Sequence, residues 1–178
     1  MPRSGPNIII TGTPGVGKTS HSELLAQNVS SLTHLSINNL VKERTCHEGW
    51  DESAQSWIVD EDLLLDSLEQ DKIGEQGGYI IDWHACDLFP KAWIDLVVVL
   101  RTPTETLYDR LKGRDYKEAK LQENLDAEIM QIILDEARES YDEEIVVELK
   151  SQALEDLEAN VERLERWVEA WRKDVERE

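Results

Sequence analysis

Near the N-terminus, a glycine-rich run with one lysine follows a short β-branched segment. Residues 8–11 read IIIT, and residues 12–20 read GTPGVGKTS. Glycines in such a run let the backbone turn with its N–H groups pointing inward at an anion, because no Cβ obstructs the turn. The spacing G-x-x-x-x-G-K-[ST] is that of the phosphate-binding P-loop, in which the lysine contacts the β- and γ-phosphates and the next hydroxyl contacts Mg²⁺.

This pattern predicts a site for ATP or GTP. The strand-like segment before the loop and the helical pattern after it favour this interpretation over an ordinary glycine-rich turn, because a phosphate also gains the positive end of the following helix. We expect Lys18 to contact the terminal phosphates and Thr19 to contact the metal. The loop residues predicted to bind nucleotide are Gly12, Gly15, Val16, Gly17, Lys18, Thr19 and Ser20.

A second polar group follows the apolar segment at residues 79–81. Asp82 comes directly after this segment and His84 two residues later. A carboxylate at a strand end beside a P-loop holds Mg²⁺ directly or through water, so we predict a metal site formed by Thr19 and Asp82. An imidazole there could orient or deprotonate a water molecule, whereas an AMP phosphate oxygen needs little such help. The sequence leaves a purely structural role for His84 equally open.

Three arginines are candidates for binding the transferring phosphoryl group, because guanidinium groups stabilise phosphate charge. They are Arg101, Arg110 and Arg114. Arg114 lies in a polar stretch at residues 113–120 between two predicted helices, which is typical of a lid that closes over a nucleotide. We therefore choose Arg114, together with Lys18, Asp82 and His84, as the predicted catalytic residues.

Apolar, β-branched runs predict five strands. They lie at residues 7–11, 33–37, 79–84, 95–101 and 145–149. Near-continuous apolar runs are typical of strands covered on both faces, as in a parallel sheet. Strands alternating with helices predict a three-layer α/β fold that binds ligands at the carboxyl ends of its strands. We expect one domain over residues 1–178, without repeats or linkers.

The predicted helices include a short one with Asn38 and Asn39 at its start and one that opens at residues 59–62. Others are predicted at 105–112, as one continuous helix at 121–141, and as a long amphipathic C-terminal helix at 153–177, while residues 47–52 read as a turn.

Composition excludes several classes of protein. The 178 residues are 40% hydrophobic and 32% charged, with two cysteines and a net charge of −19. The two distant cysteines exclude a zinc site or a disulfide framework, and the acidic balance argues against a broad nucleic-acid-binding surface. We expect an intracellular acidic enzyme with no membrane partner, and the charge also suits a protein that captures a basic partner.

The motifs resemble those of the adenylate kinase isoenzyme 6 family, which comprises the coilin-interacting nuclear ATPase of animals and its fungal ribosome-assembly counterpart. The resemblance covers nearly the whole chain: GTPGVGKT at 12–19, DWHACDLFP at 82–90, LRT at 100–102 and a short lid at 113–123. It implies a P-loop NTPase fold of the nucleoside monophosphate kinase type, with a monophosphate-binding region at residues 38–61. The chain departs from ordinary adenylate kinases at Lys42, where an arginine is usual, and at GRDY (residues 113–116), where R-G-Y is usual.

The same resemblance implies Mg²⁺-dependent adenylate kinase and ATPase activities, with ATP, ADP and AMP as substrates. It also implies a role in late maturation of the small ribosomal subunit and its rRNA, in the nucleus and cytoplasm. The implied partner is a basic small-subunit platform ribosomal protein within the pre-40S particle, with rRNA contacted indirectly. Two alternatives stay open: a housekeeping adenylate kinase, and a binding protein whose grip on a basic ribosomal protein is switched by ATP.

Overall fold

A computed structural model describes residues 3–178, which form eight helices and seven strands. In chain order the elements are β1 (Ile8–Thr11), α1 (Lys18–Asn28), β2 (Thr33–Ser36), α2 (Ile37–Glu43), β3 (His47–Asp51), β4 (Ser56–Val59), α3 (Glu61–Gln70), α4 (Ile73–Gln76), β5 (Tyr79–Asp82), β6 (Leu96–Arg101), α5 (Thr104–Gly113), α6 (Glu118–Ile129), α7 (Ile132–Ser140), β7 (Val146–Lys150) and α8 (Leu154–Val175). Short 3-10 turns at Lys91–Trp93 and Glu143–Ile145 precede β6 and β7.

The five predicted strands form one parallel sheet in the order β2-β5-β1-β6-β7. Its two faces are covered by different helices, because alternate side chains of a strand point to opposite faces. Ile9 of β1 packs in a core with α2, α3 and α7, whereas Ile8 and Ile10 pack in a second core with α1, α5, α6 and α8. The predicted three-layer α/β fold is confirmed.

The sheet brings the two predicted motifs to the same edge. β1 pairs with β5 in a register that places Ile10 opposite Asp82, so the P-loop that follows β1 lies beside the end of β5. Gly12, the first glycine of the loop, has a φ of 148° and leaves no room for a side chain, since a Cβ there would lie 2.8 Å from the carbonyl oxygen of Leu100. This close approach to β6 fixes where the loop begins its turn.

Two predictions about the elements around the site are wrong. Residues 47–52 are not a turn: β3 pairs antiparallel with β4, with Trp50 opposite Trp57 and the two rings 5.2 Å apart, edge to face. This aromatic cross-strand pair stabilises a hairpin that its polar sequence did not suggest. The predicted helix at 121–141 is two helices, α6 and α7, because Gln131 adopts a left-handed conformation with φ of 59°.

Smaller corrections concern helix starts. The residue that caps α2 is Ser36, whose hydroxyl accepts from the backbone N–H of Asn39 at 3.5 Å, rather than Asn38 or Asn39. The predicted lid at 113–123 contains a loop of only four residues, 114–117, after which α6 begins. Over residues 3–178 we find no helix with the length and apolar character needed to cross a bilayer.

The packing of α4 generates a stability prediction. A Cβ added at Gly74 would lie 2.3 Å from Cδ1 of Trp93, whereas a Cβ at Gly113, at the end of α5, would have nothing within 4 Å. We expect Gly74→Ala to lower the free energy of unfolding by about 1–3 kcal/mol through overpacking. The matched variant Gly113→Ala should leave it unchanged or raise it by up to about 1 kcal/mol, because alanine favours helix. Urea unfolding followed by tryptophan fluorescence measures both, and equal effects would contradict the packing argument.

Candidate functional site

A cleft of about 720 Å³ opens at the carboxyl edge of the sheet. Its base is the P-loop and the end of β5, one wall comes from residues 36–59, and the other comes from residues 114–136. The four residues predicted to be catalytic all line this cleft: Lys18, Asp82, His84 and Arg114. The structure therefore brings together side chains that are separated by up to 96 positions in the sequence (114 − 18).

The predicted nucleotide-binding residues divide into two groups. Gly15, Gly17, Lys18 and Thr19 line the cleft. Gly12 and Val16 are buried beneath it, and Ser20 is exposed outside its lining. Val16 supports the loop from within: its side chain packs in the core below, its N–H donates to the carbonyl of Thr13 at 3.2 Å, and its carbonyl accepts from Ser151 Oγ at 2.5 Å.

Thr19 and Asp82 are in direct contact. Thr19 Oγ1 donates to Oδ2 of Asp82 at 3.0 Å, and Nε2 of His34 lies 2.9 Å from the same oxygen. Hydroxyl and carboxylate oxygens are hard ligands of the kind that Mg²⁺ binds, so this pair fits the predicted metal. Within the described residues no group of three or more acidic, histidine or cysteine side chains could hold a metal alone.

His34 is a site residue that sequence reasoning missed. It lies on β2, and the pairing of β2 with β5 places Ser36 opposite Asp82, so that the ring of His34 reaches the carboxylate from one side. A hydrogen-bonded imidazole next to a metal-binding carboxylate orients that carboxylate. Only the register of the two strands shows this contact; the sequence gives no spacing that connects residues 34 and 82.

Lys18 contacts its own loop. Its Nζ donates to the carbonyl oxygens of Gly12 at 2.9 Å and of Thr13 at 3.1 Å. The pKa of Lys18 is lowered from 10.5 to about 8, mainly by burial and also by the charge of Arg114, whereas the charges of Asp82 and Glu128 oppose the shift. The ammonium group thus lies in surroundings that disfavour its charge until an anion arrives.

His84 forms part of the cleft wall. Its backbone carbonyl accepts from Thr11 Oγ1 at 3.1 Å, which ties the residue to the end of β1. The residue lines the cleft and is exposed to solvent there. Partial loss of hydration against the cleft walls lowers the pKa of His84 to about 4, and the charges of Lys18 and Lys120 contribute. The imidazole is therefore neutral at pH 7 and is able to accept a proton.

The structure separates the three candidate arginines. Arg101 is bound to Glu128, with Nε 2.5 Å from Oε1 and Nη2 2.7 Å from the backbone oxygen. Arg110 donates to the backbone oxygens of Gly15 at 3.2 Å and of Gln152 at 2.8 Å. Arg114 lines the cleft, so it is placed where it could meet a phosphoryl group. Its catalytic role stays a prediction from the sequence.

Lys42 and Arg44, in the predicted monophosphate-binding region, point to different places. Lys42 lines the cleft together with Asn38 and Asn39. Arg44 lies away from it, with Nη1 2.7 Å from Ser67 Oγ and 2.6 Å from Asp71 Oδ2. The cation on this wall is therefore a lysine, which is a point charge rather than a planar fork.

The two walls meet above the cleft. Lys120 Nζ donates to the backbone oxygen of Ala54 and lies 3.5 Å from that of Gln55, and the N–H of Lys117 donates to Gln55 Oε1 at 3.1 Å. The lid side thus contacts the turn of the β3–β4 hairpin. Sequence reasoning missed this contact because it joins two polar segments more than 60 positions apart.

Comparisons with known proteins agree with this geometry. The sequence profile of a family described as "AAA domain" matches residues 8–131. A relative in Schizosaccharomyces pombe, named adenylate kinase isoenzyme 6 homolog, is 51% identical over 97% of this chain and 97% of its own length. The homolog named HBR1 in Candida albicans is 52% identical over 94% of this chain and 70% of its own length. The homolog in Dictyostelium discoideum is 49% identical over 95% of both chains.

Solved structures support the fold alone. Shikimate kinase from Bacteroides thetaiotaomicron aligns with a TM-score of 0.58 at 18% identity, covering 93% of this chain and 99% of that one. A gluconokinase from Sinorhizobium meliloti aligns with a TM-score of 0.51 at 14% identity, covering 97% and 99%. These neighbours share a P-loop kinase fold with the protein. The sequence relatives show that the chain belongs to the adenylate kinase isoenzyme 6 family.

Proposed function

We propose that the protein is a Mg²⁺-dependent adenylate kinase, which converts ATP and AMP to two ADP, and that it also hydrolyses ATP. The observation that carries this proposal is the Thr19–Asp82 contact at the P-loop, in a cleft also lined by His84 and Arg114. A cleft of about 720 Å³ lies within the range of roughly 300–1,000 Å³ that is usual for small-molecule sites.

The P-loop is the proposed site for ATP, the phosphoryl donor. The inward backbone N–H groups and the start of α1 bind the β- and γ-phosphates of ATP. Lys18 exchanges its loop carbonyls for a phosphate oxygen, and Arg114 balances the charge on the transferring group. Thr19 and Asp82 would hold Mg²⁺, which when bound neutralises phosphate charge. These residues bind and orient the nucleotide; phosphoryl transfer needs little further chemistry from the protein.

The acceptor decides which reaction occurs. AMP offers an ionised phosphate oxygen, which Lys42 and the amides of Asn38 and Asn39 can position on the opposite wall. Water is a poorer nucleophile and gains from a proton acceptor, for which the neutral imidazole of His84 is suited. The lid side contacts the hairpin over part of the cleft, and exclusion of bulk water there would favour transfer to AMP over hydrolysis.

We also propose a role in late maturation of the small ribosomal subunit and its rRNA, in the nucleus and cytoplasm. The partner is a basic small-subunit platform ribosomal protein within the pre-40S particle, and contact with rRNA is indirect. Support comes from the resemblance to the family and from the net charge of −19, which attracts a basic partner. The alternative is a binding protein whose grip on that partner is switched by ATP; it is favoured by three acidic residues on the cleft wall, Asp87, Glu123 and Glu136.

The pKa of Lys18 predicts how nucleotide binding depends on pH. Only the charged ammonium attracts a phosphate, and the pKa of Lys18 in the free protein is about 8. We therefore expect the affinity for Mg²⁺-ADP to be constant from pH 6.5 to 7.5 and to fall about tenfold by pH 9, as the ammonium loses its proton. Titration calorimetry measures this affinity. Lys18→Arg, which stays charged, should bind more weakly but lose the pH dependence; an unchanged wild-type affinity at pH 9 contradicts the assignment.

Substitution of His84 separates the two reactions. We expect His84→Ala to lower ATP hydrolysis by about a hundredfold, since general-base help is typically worth at least that much, while phosphoryl transfer to AMP falls by less than about threefold. Asp82→Asn should abolish both, because it removes the metal ligand. The two rates are measured separately, as phosphate release and as ADP formation. If both rates survive in His84→Ala, His84 has a structural role only.

Substitution of the acidic residues on the cleft wall tests whether they bind the proposed basic partner. We expect combined Asp87→Asn, Glu123→Gln and Glu136→Gln changes to weaken binding of the purified basic ribosomal protein about tenfold, because they neutralise the acidic cleft wall. A matched control neutralises Glu155, Glu158 and Glu169, exposed on α8, which changes the net charge equally and should alter affinity less than about twofold. Binding is measured with ATP and with ADP, and equal losses in the two triple variants would mean that only net charge matters.

A further inference from the structure

A buried carboxylate lies beside the P-loop and has no part in the chemistry described above. Glu128 is in the last turn of α6 and is only 4% exposed, although it carries a charge. A charge buried to this degree needs partners, since an unpaired one costs several kcal/mol. Its partners come from three other parts of the structure: the P-loop, the end of β6 and the residue that follows β6.

Both carboxylate oxygens of Glu128 accept hydrogen bonds. Thr13 Oγ1 donates to Oε2 at 2.5 Å, and Thr13 is itself only 2% exposed. Arg101 Nε donates to Oε1 at 2.5 Å, and the N–H of Thr102 approaches the same oxygen at 3.3 Å. Arg101 also donates from Nη2 to the backbone oxygen of Glu128 at 2.7 Å, so the residue is held at both its side chain and its main chain.

The carbonyl oxygen of Thr13 makes two contacts that shape the P-loop. Its carbonyl oxygen accepts from the N–H of Val16 at 3.2 Å, which closes the turn of the loop, and from Nζ of Lys18 at 3.1 Å. A shift of Thr13 would therefore move both the turn and the contact that orients the lysine. The hydroxyl of the same residue is the group bound by Glu128, so the chain Glu128–Thr13–Lys18 is continuous.

Arg101 makes this arrangement compatible with a phosphate site. A free carboxylate at the P-loop would repel a polyphosphate, but the guanidinium of Arg101 pairs with it at 2.5 Å and cancels its charge locally. Arg101 is in turn 3.7 Å from Glu148, a half-exposed residue on β7. The candidate phosphate-binding arginine of β6 therefore serves to neutralise Glu128.

We propose that Glu128 is a positioning residue for nucleotide binding: it fixes the P-loop through Thr13 and ties the loop to the lid helix α6. This inference rests on the proposed nucleotide-binding function. α6 begins directly after the lid loop, carries Lys120 against the hairpin, and ends two residues before the left-handed Gln131. Glu128 therefore attaches the C-terminal end of α6 to the P-loop. It holds the P-loop in its nucleotide-binding conformation before nucleotide arrives, which lowers the free-energy cost of ordering the loop on binding.

Removal of one hydroxyl tests the link with little change in shape. Thr13→Val keeps the branched side chain and leaves the Arg101–Glu128 pair in place. We expect the affinity for Mg²⁺-ADP to fall at least about tenfold, as a hydrogen bond to a buried charged group is lost. The affinity for AMP alone, bound on the opposite wall, should stay within about twofold. Thr13→Ser, which restores the hydroxyl, should recover most of the ADP affinity.

A second readout needs no ligand. In the nucleotide-free protein, hydrogen exchange of the amides at residues 12–18 should become at least about tenfold faster in Thr13→Val, because the loop loses its anchor. Glu148→Gln is the matched control: it removes the other acidic neighbour of Arg101, outside the loop, and should leave both exchange and ADP affinity within about twofold. The double variant Thr13→Val, Glu128→Gln should lose no more ADP affinity than the more damaging single variant, since both break one link.

Three results would contradict either this inference or the proposed function. If Thr13→Val remains folded by circular dichroism, binds ADP as the wild type does and shows unchanged exchange at residues 12–18, Glu128 does not position the loop. If it weakens ADP and AMP binding equally, the effect is general destabilisation and the inference fails. If the wild-type protein itself does not bind Mg²⁺-ADP, the proposed function fails, and the exchange measurement alone then decides whether Glu128 anchors the loop.

Discussion

The contact between Thr19 and Asp82 is the constraint on which the site depends. It joins the first turn of α1 to the end of β5, at 3.0 Å, and it requires β1 and β5 to be neighbours. The strand order β2-β5-β1-β6-β7 meets this requirement: β1 is central, and the chain places later strands on both sides of it. Parallel strands with right-handed crossovers then leave a crevice beside the end of β1. The P-loop fills this crevice, and the cleft extends from it.

The cleft brings basic and acidic side chains together within an acidic chain. Four basic residues line it, Lys18, Lys42, Arg114 and Lys120, together with four acidic ones, Asp82, Asp87, Glu123 and Glu136, whereas the whole protein carries a net charge of −19. Burial is the main cause of the lowered pKa values of Lys18 and His84, and neighbouring cations add to it: Arg114 for Lys18, and Lys18 and Lys120 for His84. The negative charge of a bound polyphosphate would raise both pKa values again.

Closure of the cleft depends on two segments that lie far apart in the chain. The hairpin of β3 and β4 is built on the Trp50–Trp57 pair, and the lid helix α6 reaches its turn through Lys120. At its other end α6 is bonded to the P-loop by Glu128, next to the break at Gln131. α6 is therefore attached near both of its ends. Lys120 contacts the backbone carbonyls of residues 54 and 55 in the hairpin, and the buried carboxylate of Glu128 contacts the P-loop. A shift of α6 would therefore change contacts at the hairpin and at the P-loop together.

Elements whose signal lies in a few neighbouring residues could be predicted from the sequence. Glycine spacing, a β-branched run and a lysine gave the P-loop; near-continuous apolar runs gave all five strands of the parallel sheet; and the placement of Asp82 and His84 after β5 put them at the correct edge. These features depend on backbone sterics and on burial of neighbouring residues, which a short window contains. The tertiary structure decided which side chains meet. His34 contacts Asp82 because of the register in which β2 pairs with β5. Arg101 forms an ion pair with Glu128 instead of lining the phosphate site. The sequence also did not predict the break between α6 and α7 at Gln131 or the hairpin at 47–59. Contacts between distant segments depend on strand register and helix packing, and the residues next to them in the chain do not determine these.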